Sequence, residues 1–136
     1  MHIRRHFTRA GADPYEGIAW ESRSSNLTRP DGTVLFEQED VVVPAHWSQI
    51  ASDILAQKYF RKSGVPKPDG SLGGEHDARQ VFHRLAHTWR VWGDQAGFFD
   101  GDEDGQAFYD EVCYMLAHQM AAPNSPQWFN TGLYEA

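Results

Sequence analysis

Arg29-Pro30-Asp31-Gly32-Thr33-Val34-Leu35-Phe36-Glu37-Gln38-Glu39-Asp40-Val41-Val42-Val43-Pro44 is the stretch that decides the fold. Its first four residues are turn chemistry: proline presets its own φ, aspartate bonds its own backbone, and glycine reaches positive φ without strain. Aromatic and β-branched residues dominate from Thr33 to Val43, and again before the turn from Gly17 to Asn26, so a β-hairpin is predicted. The second arm puts Val34 and Phe36 on one face. Val41-Val42-Val43 is a continuous apolar run that Pro44 ends.

Beyond the hairpin the period changes. Trp47, Ile50, Ala51, Ile54, Leu55 and Tyr59 recur at spacings of three and four and predict one stripe of a helix, stopped by Ser63-Gly64 and Pro66. Residues 67–74 read as a Pro/Gly/Ser linker without periodicity. A second helix is expected from about Glu75 to Trp92, with Phe82, Leu85, Ala86 and Trp89 on its apolar face and Gly93 at its end. A third starts within the acidic stretch after Asp100 and carries Phe108, Tyr109, Val112, Cys113, Met115, Leu116 and Met120, with Ala122 the last helical position before Pro123. Ser125, before Pro126, is expected to be extended. Residues 1–15 are polar, lack a sustained period and read as a flexible tail or an arm that orders on a partner.

A chain of 136 residues is one ordinary domain by length, and its eight Phe, five Trp and five Tyr supply a core. The formal net charge of -7 argues against a broad duplex-DNA footprint, which needs clustered Lys and Arg; a local anionic ligand is compatible with it. The single cysteine, Cys113, can form neither an internal disulfide nor a multi-cysteine metal site, and a reducing compartment fits best. No apolar stretch follows Arg4, Arg5 and Arg9, so neither a secretory signal nor a membrane span is expected, and the cytoplasm is the expected location.

Asn124-Ser125-Pro126-Gln127-Trp128-Phe129-Asn130-Thr131-Gly132 is the most informative stretch for function. It holds a small hydroxyl clamped between two prolines, then an aromatic pair and an Asn-Thr-Gly turn. On spacing alone the simpler reading is a strand start with a capping serine; the other is a preorganised substrate contact. Together with Met115-Leu116-Ala117-His118-Gln119-Met120-Ala121-Ala122 before it, the stretch resembles the approach into the catalytic barrel of bacterial class II ribonucleotide reductases. Three more segments agree in the same order: residues 31–38, then Trp47-Ser48-Gln49 continuing through residues 53–62, then residues 77–82 with Trp89 and Trp92-Gly93. Between Pro66 and Gly73 the chain is shorter than that family leads one to expect.

The resemblance implies an α+β fold in which the β-hairpin packs on three helices and leads into the first strand of the reductase barrel. Residues 1–15 would be a flexible tail, 16–122 an amino-terminal domain, and 123–136 the start of the catalytic barrel. It further implies a cobalamin-dependent ribonucleoside-diphosphate reductase that makes deoxyribonucleotides for DNA synthesis, with adenosylcobalamin generating a thiyl radical and a cysteine pair reducing the ribose. Those thiols lie outside these residues, so this segment would be inactive alone, and Cys113 reads as a small buried hydrophobe. What carries over is Ser125, matching the hydroxyl residue placed to bond the ribose or phosphate of the ribonucleotide, with Asn124 beside it. The implied partners are that substrate and the rest of the barrel, in cis or in trans. An isolated first barrel strand leaves its backbone unpaired, so a homodimer, a partner or disorder after Asn124 is expected.

Two further patterns compete for attention. Asp100, Asp102 and Asp104, with Gly105 and then Glu111, match the ligand positions of an EF-hand calcium loop, although Ala107 stands where a branched aliphatic is usual and no second loop exists. An acidic helix start explains the same residues. His83 and His87 lie one helical turn apart, a spacing that can chelate a metal, with a solvated helix edge as the plainer reading. A stand-alone interaction protein derived from the reductase family is the remaining alternative.

Overall fold

The structure, a computed structural model, describes residues 1–133. It is α+β, with an antiparallel hairpin, a second very short hairpin and several helices, and the chain divides into two compact units: Ile18–Val81, and Met1–Gly17 with Phe82 onward.

In the first unit, β1 (Trp20–Thr28) pairs with β2 (Val34–Pro44), from Trp20 opposite Pro44 to Thr28 opposite Val34. The connecting turn is held by Gly32 N–H to Arg29 O (2.9 Å) and by Thr33 N–H to the Asp31 carboxylate (2.8 Å), as its composition predicts. Register slips twice, between Arg23 and Ser25 and between Leu27 and Thr28, and at each slip β2 carries one more residue than β1. Asp40, at φ 56°, sits at the first slip; a short polar side chain tolerates that left-handed conformation better than a branched one. Val41 and Val43 are fully buried, while Val42 donates its N–H to His76 O (2.8 Å) and makes a parallel bridge with Asp77.

The first helix departs from its expected stripe. α1 (Gln49–Ile54), capped by Ser48 accepting from Ala51 N–H (3.1 Å), runs into a π-helical turn over Leu55–Tyr59. Ile50 and Ile54 are 72% and 42% exposed, and the buried positions are Ser52, Leu55 and Ala56. The reason is polar. Arg23 of β1 donates to Trp47 O (2.6 Å), Ser52 Oγ (2.8 Å) and Ala45 O (3.0 Å), and Ser25 Oγ donates to Asp53 (2.8 Å), which turns the serine edge of α1 toward the hairpin. The wider turn after Ile54, closed by Phe60 N–H to Leu55 O (2.9 Å), then shifts the phase of the stripe.

The expected linker is a small hairpin, β3 (Val65–Pro66) with β4 (Leu72–Gly73), closed by Lys67 N–H to Ser71 O (2.8 Å). Behind it Glu75 is buried, its carboxylate accepting Arg61 N–H (2.7 Å). α2 (Ala78–Gln95) opens with a reciprocal cap: Asp77 Oδ1 accepts Arg79 N–H (2.8 Å), and the Gln80 side chain accepts Asp77 N–H (2.9 Å).

The second unit holds α2 from Phe82 on, α3 (Asp102–Ala117), α4 (Ser125–Asn130) and residues 1–17. Phe82, Leu85, Ala86, Ala107, Cys113, Leu116 and Ala117 form its core. α2 and α3 approach closely, since a Cβ on Gly105 would lie 3.0 Å from Arg90 Nε; a Cβ on Gly93 would lie 2.5 Å from the ring of Phe99, just before α3. α3 ends at Ala117, short of the expected Ala122, because Gln119 at φ 56° turns the chain out of the helix. Residues 1–15, read from sequence as a flexible tail, form neither helix nor strand but make specific bonds to α3. Ile3 N–H (2.9 Å) and His2 Nδ1 (2.7 Å) meet Asp104, Arg5 meets Asp110 (2.8 Å), and His6 and Phe7 N–H meet Glu111. Phe7 stacks on Tyr114 at 4.7 Å.

Two outcomes follow from these caps and carboxylates. Asp77→Ala is expected to cost about 1 kcal/mol in chemical denaturation, the usual loss for an N-cap. Burial pushes the Glu111 carboxyl up, but the backbone N–H groups of His6 and Phe7 together with Thr8 outweigh it and hold it below its ordinary 4.5. A depressed folded value means stabilisation that is present above the unfolded value and lost as pH falls through the folded one. Glu111→Gln, which cannot titrate, is therefore expected to narrow the stability difference between neutral and acid pH measured by urea denaturation.

Candidate functional site

α4 and the turn after it are built from the proline-bracketed stretch. Asn124, extended at φ -63° and ψ 155°, caps the helix, and its carbonyl accepts Gln127 N–H (2.9 Å) and Trp128 N–H (3.4 Å). Pro126 lies in the first turn, where its missing N–H would have had no helical acceptor. At the other end Arg84, only 6% exposed, reaches from α2 and donates to Trp128 O (2.9 Å) and Thr131 O (3.0 Å). A cation there meets carbonyls that the helix leaves unpaired. Thr131 is buried, and its hydroxyl donates to the Gln127 side chain at 2.7 Å. Gly132, at φ 80°, is required on two counts: its conformation is left-handed, and a Cβ would lie 2.9 Å from Arg84 O and 3.0 Å from Thr88 Oγ1.

The expected extended Ser125 and first barrel strand are thus corrected to a short helix over Ser125–Asn130. The bias of a pre-proline residue against helix is outweighed by the Arg84 clamp. The expected barrel start, 123–136, has its last three residues outside the described part. Ser125 and Asn124 are exposed at the start of α4. Two open cavities lie in this unit, one of about 530 Å3 walled largely by Trp89, Trp92, Met115 and Pro123, the other of about 480 Å3 walled by Thr88, Trp92, Asn130 and Leu133. Gln127 lines both, whereas Ser125 and Asn124 line neither. Arg84, Gln127 and Gly132 are the residues that organise this region. A clue to Arg84 was present in the sequence: an arginine between Phe82 and Leu85 on the apolar face of a helix must find acceptors or leave the core.

The calcium-loop alternative is not supported. Asp102 and Asp104 lie in the first turn of α3, so the segment is helix rather than a ligand loop, and Asp104 and Glu111 are occupied by donors from residues 2–7. Asp100 accepts from the amino group of Met1. Among the described residues, no group of three or more His, Cys, Asp or Glu side chains could hold a metal ion. Cys113 is buried, and burial pushes its thiol up to about 11, although the neighbouring Tyr15 and Tyr109 hydroxyls pull the other way. Such a thiol is protonated at neutral pH and shielded from reagents. No helix among the described residues is long and apolar enough to cross a membrane.

Residues 21–119 match the family described as class II vitamin B12-dependent ribonucleotide reductase, and the chain belongs to that family. Three relatives are named vitamin B12-dependent ribonucleotide reductase. Those from Bradyrhizobium diazoefficiens and Agrobacterium fabrum are 47% and 46% identical, each over 100% of this chain and 13% of its own length. The relative from Streptomyces coelicolor is 37% identical over 97% of this chain and 13% of its own length. The chain therefore spans a small part of the relatives it matches. The first alignment runs over 164 positions against the 136 residues of this chain, so that relative carries additional residues inside the matched region.

Replacing Arg84 by Met, which keeps the length and removes the donors, is expected to cost about 1.5–3 kcal/mol, the range for hydrogen bonds to a charged group. Amide exchange at Thr131, whose N–H donates to Gln127 O (3.1 Å), is expected to accelerate in the same variant.

Proposed function

We propose that this chain is the amino-terminal part of an adenosylcobalamin-dependent ribonucleotide reductase, where it scaffolds one side of the catalytic barrel and delivers Ser125 to the ribonucleotide. The observation that carries this reading is the match along the whole chain to relatives bearing that name. In this proposal residues 16–122 form the scaffolding domain, with the hairpin packed on the helices, and the segment from residue 123 leads into the barrel. The oxidoreductase chemistry, the cobalamin and the radical thiol belong to the remainder of the enzyme, joined to this chain in cis or in trans in the cytoplasm. The enzyme would work without membrane or DNA contact, and the assembled form would be a homodimer. Cys113 does not fit the radical or reducing roles, since its thiol is buried and held protonated.

The chain's own contribution is polar and positional. Ser125 offers an exposed hydroxyl that can donate to a phosphate oxygen or accept from a ribose hydroxyl, and Asn124 adds an amide beside it. Arg84 and Gly132 hold the other end of α4, which limits how far that hydroxyl can wander.

Co-expression with a polypeptide carrying the rest of the reductase tests the reading. The two are expected to copurify and to reduce ribonucleotides only together and only with the cobalamin, while this chain alone turns over nothing. Ser125→Ala is expected to lower kcat/KM about tenfold, the loss of one good hydrogen bond. Turnover by the isolated chain, or no activity in the assembled pair, overturns the assignment. An unchanged kcat/KM in Ser125→Ala removes that residue's role and leaves the assignment standing.

A further inference from the structure

We propose that His83 and His87 on α2 form a two-imidazole site for a divalent transition cation, with Zn2+ the ion that best suits neutral nitrogen ligands. The pair lies one turn apart on a helix, and both residues are exposed, so neither ring is committed to the core. The rings sit nearly parallel, 5.0 Å between centroids at an interplanar angle of 15°. Two imidazoles at that separation can turn toward one ion by small χ2 rotations.

His83 is also oriented from behind. Its Nδ1 is 2.8 Å from the Tyr109 hydroxyl on α3, and the two rings meet edge to face at 5.7 Å. Burial keeps the Tyr109 phenol protonated. In the tautomer whose Nδ1–H donates to the phenol oxygen, the ring's lone pair lies on Nε2 and is open to a metal. A ligand histidine held through its other nitrogen in this way is the usual arrangement around bound zinc. Water would complete the tetrahedron. A site with two protein ligands is weaker than a structural zinc site, and its ligand class is set by imidazole: Zn2+ and its neighbours in the first transition row, not Ca2+ or Mg2+.

This inference is independent of the reductase reading and is tested on the chain itself, without an affinity tag. Calorimetric titration with ZnCl2 in a non-chelating buffer is expected to give saturable 1:1 binding below millimolar. The double variant His83→Asn with His87→Asn is expected to weaken it about tenfold or more, and Tyr109→Phe, which removes only the orienting oxygen, about tenfold. In the wild type the imidazole proton resonances of His83 and His87 should move together with added Zn2+ while those of His46 and His76 stay. Absence of saturable binding, or undiminished binding in a double variant whose circular dichroism matches the wild type, overturns the site.

Discussion

A carboxylate withdrawn from water must be met by donors, and that requirement organises the second unit. Asp104, Asp110 and Glu111 are all buried on one helix. Their donors come from residues more than a hundred positions away in the chain, through the backbone of Ile3, His6 and Phe7 and the guanidinium of Arg5. Left unmet, each would give up hydration without compensation. The polar amino-terminal residues are therefore a structural part of α3, although they contain no element of their own.

The same logic recurs with the sign reversed at Arg84 and on a smaller scale at Glu75. Arg84 is a buried cation whose acceptors are main-chain carbonyls at the end of a six-residue helix. Glu75 accepts the Arg61 N–H and, with Gln38 donating to its carbonyl (3.0 Å), ties the chain after the small hairpin back to β2. At Arg84 a short stretch of backbone is fixed by a charged side chain from a regular element, and at Glu75 the charged residue lies in the irregular stretch itself. Helix propensity alone would not hold α4, since so short a helix is marginal by itself.

How much of this was legible in the sequence depends on where the signal lay. The main hairpin and its turn could be read directly, because Arg29-Pro30-Asp31-Gly32 and the flanking β-branched runs all favour one local answer. α2 and α3 followed from their periods. The stripe of α1 was misassigned, because hydrophobic spacing counts Ile50 and Ile54 as core while Arg23, a long-range partner, draws Ser52 inward instead. Residues 125–130 were misassigned because a proline just after a small polar residue is compatible both with an extended chain and with the first turn of a helix, and only Arg84 decides between them. Ser125 and Asn124 came from family resemblance, and Gln127 emerged only once the cavity walls were known.

The two additional residues in β2 bend the hairpin as well as lengthen one of its arms. A ribbon with unequal arms coils, and a coiled ribbon offers no straight row of free N–H and C=O groups to another copy. One rim is further closed at Val42, whose N–H is taken by His76 O. Stacking of such ribbons into fibres is thus disfavoured by geometry, which lets a segment holding three consecutive valines persist without gatekeeping prolines inside it.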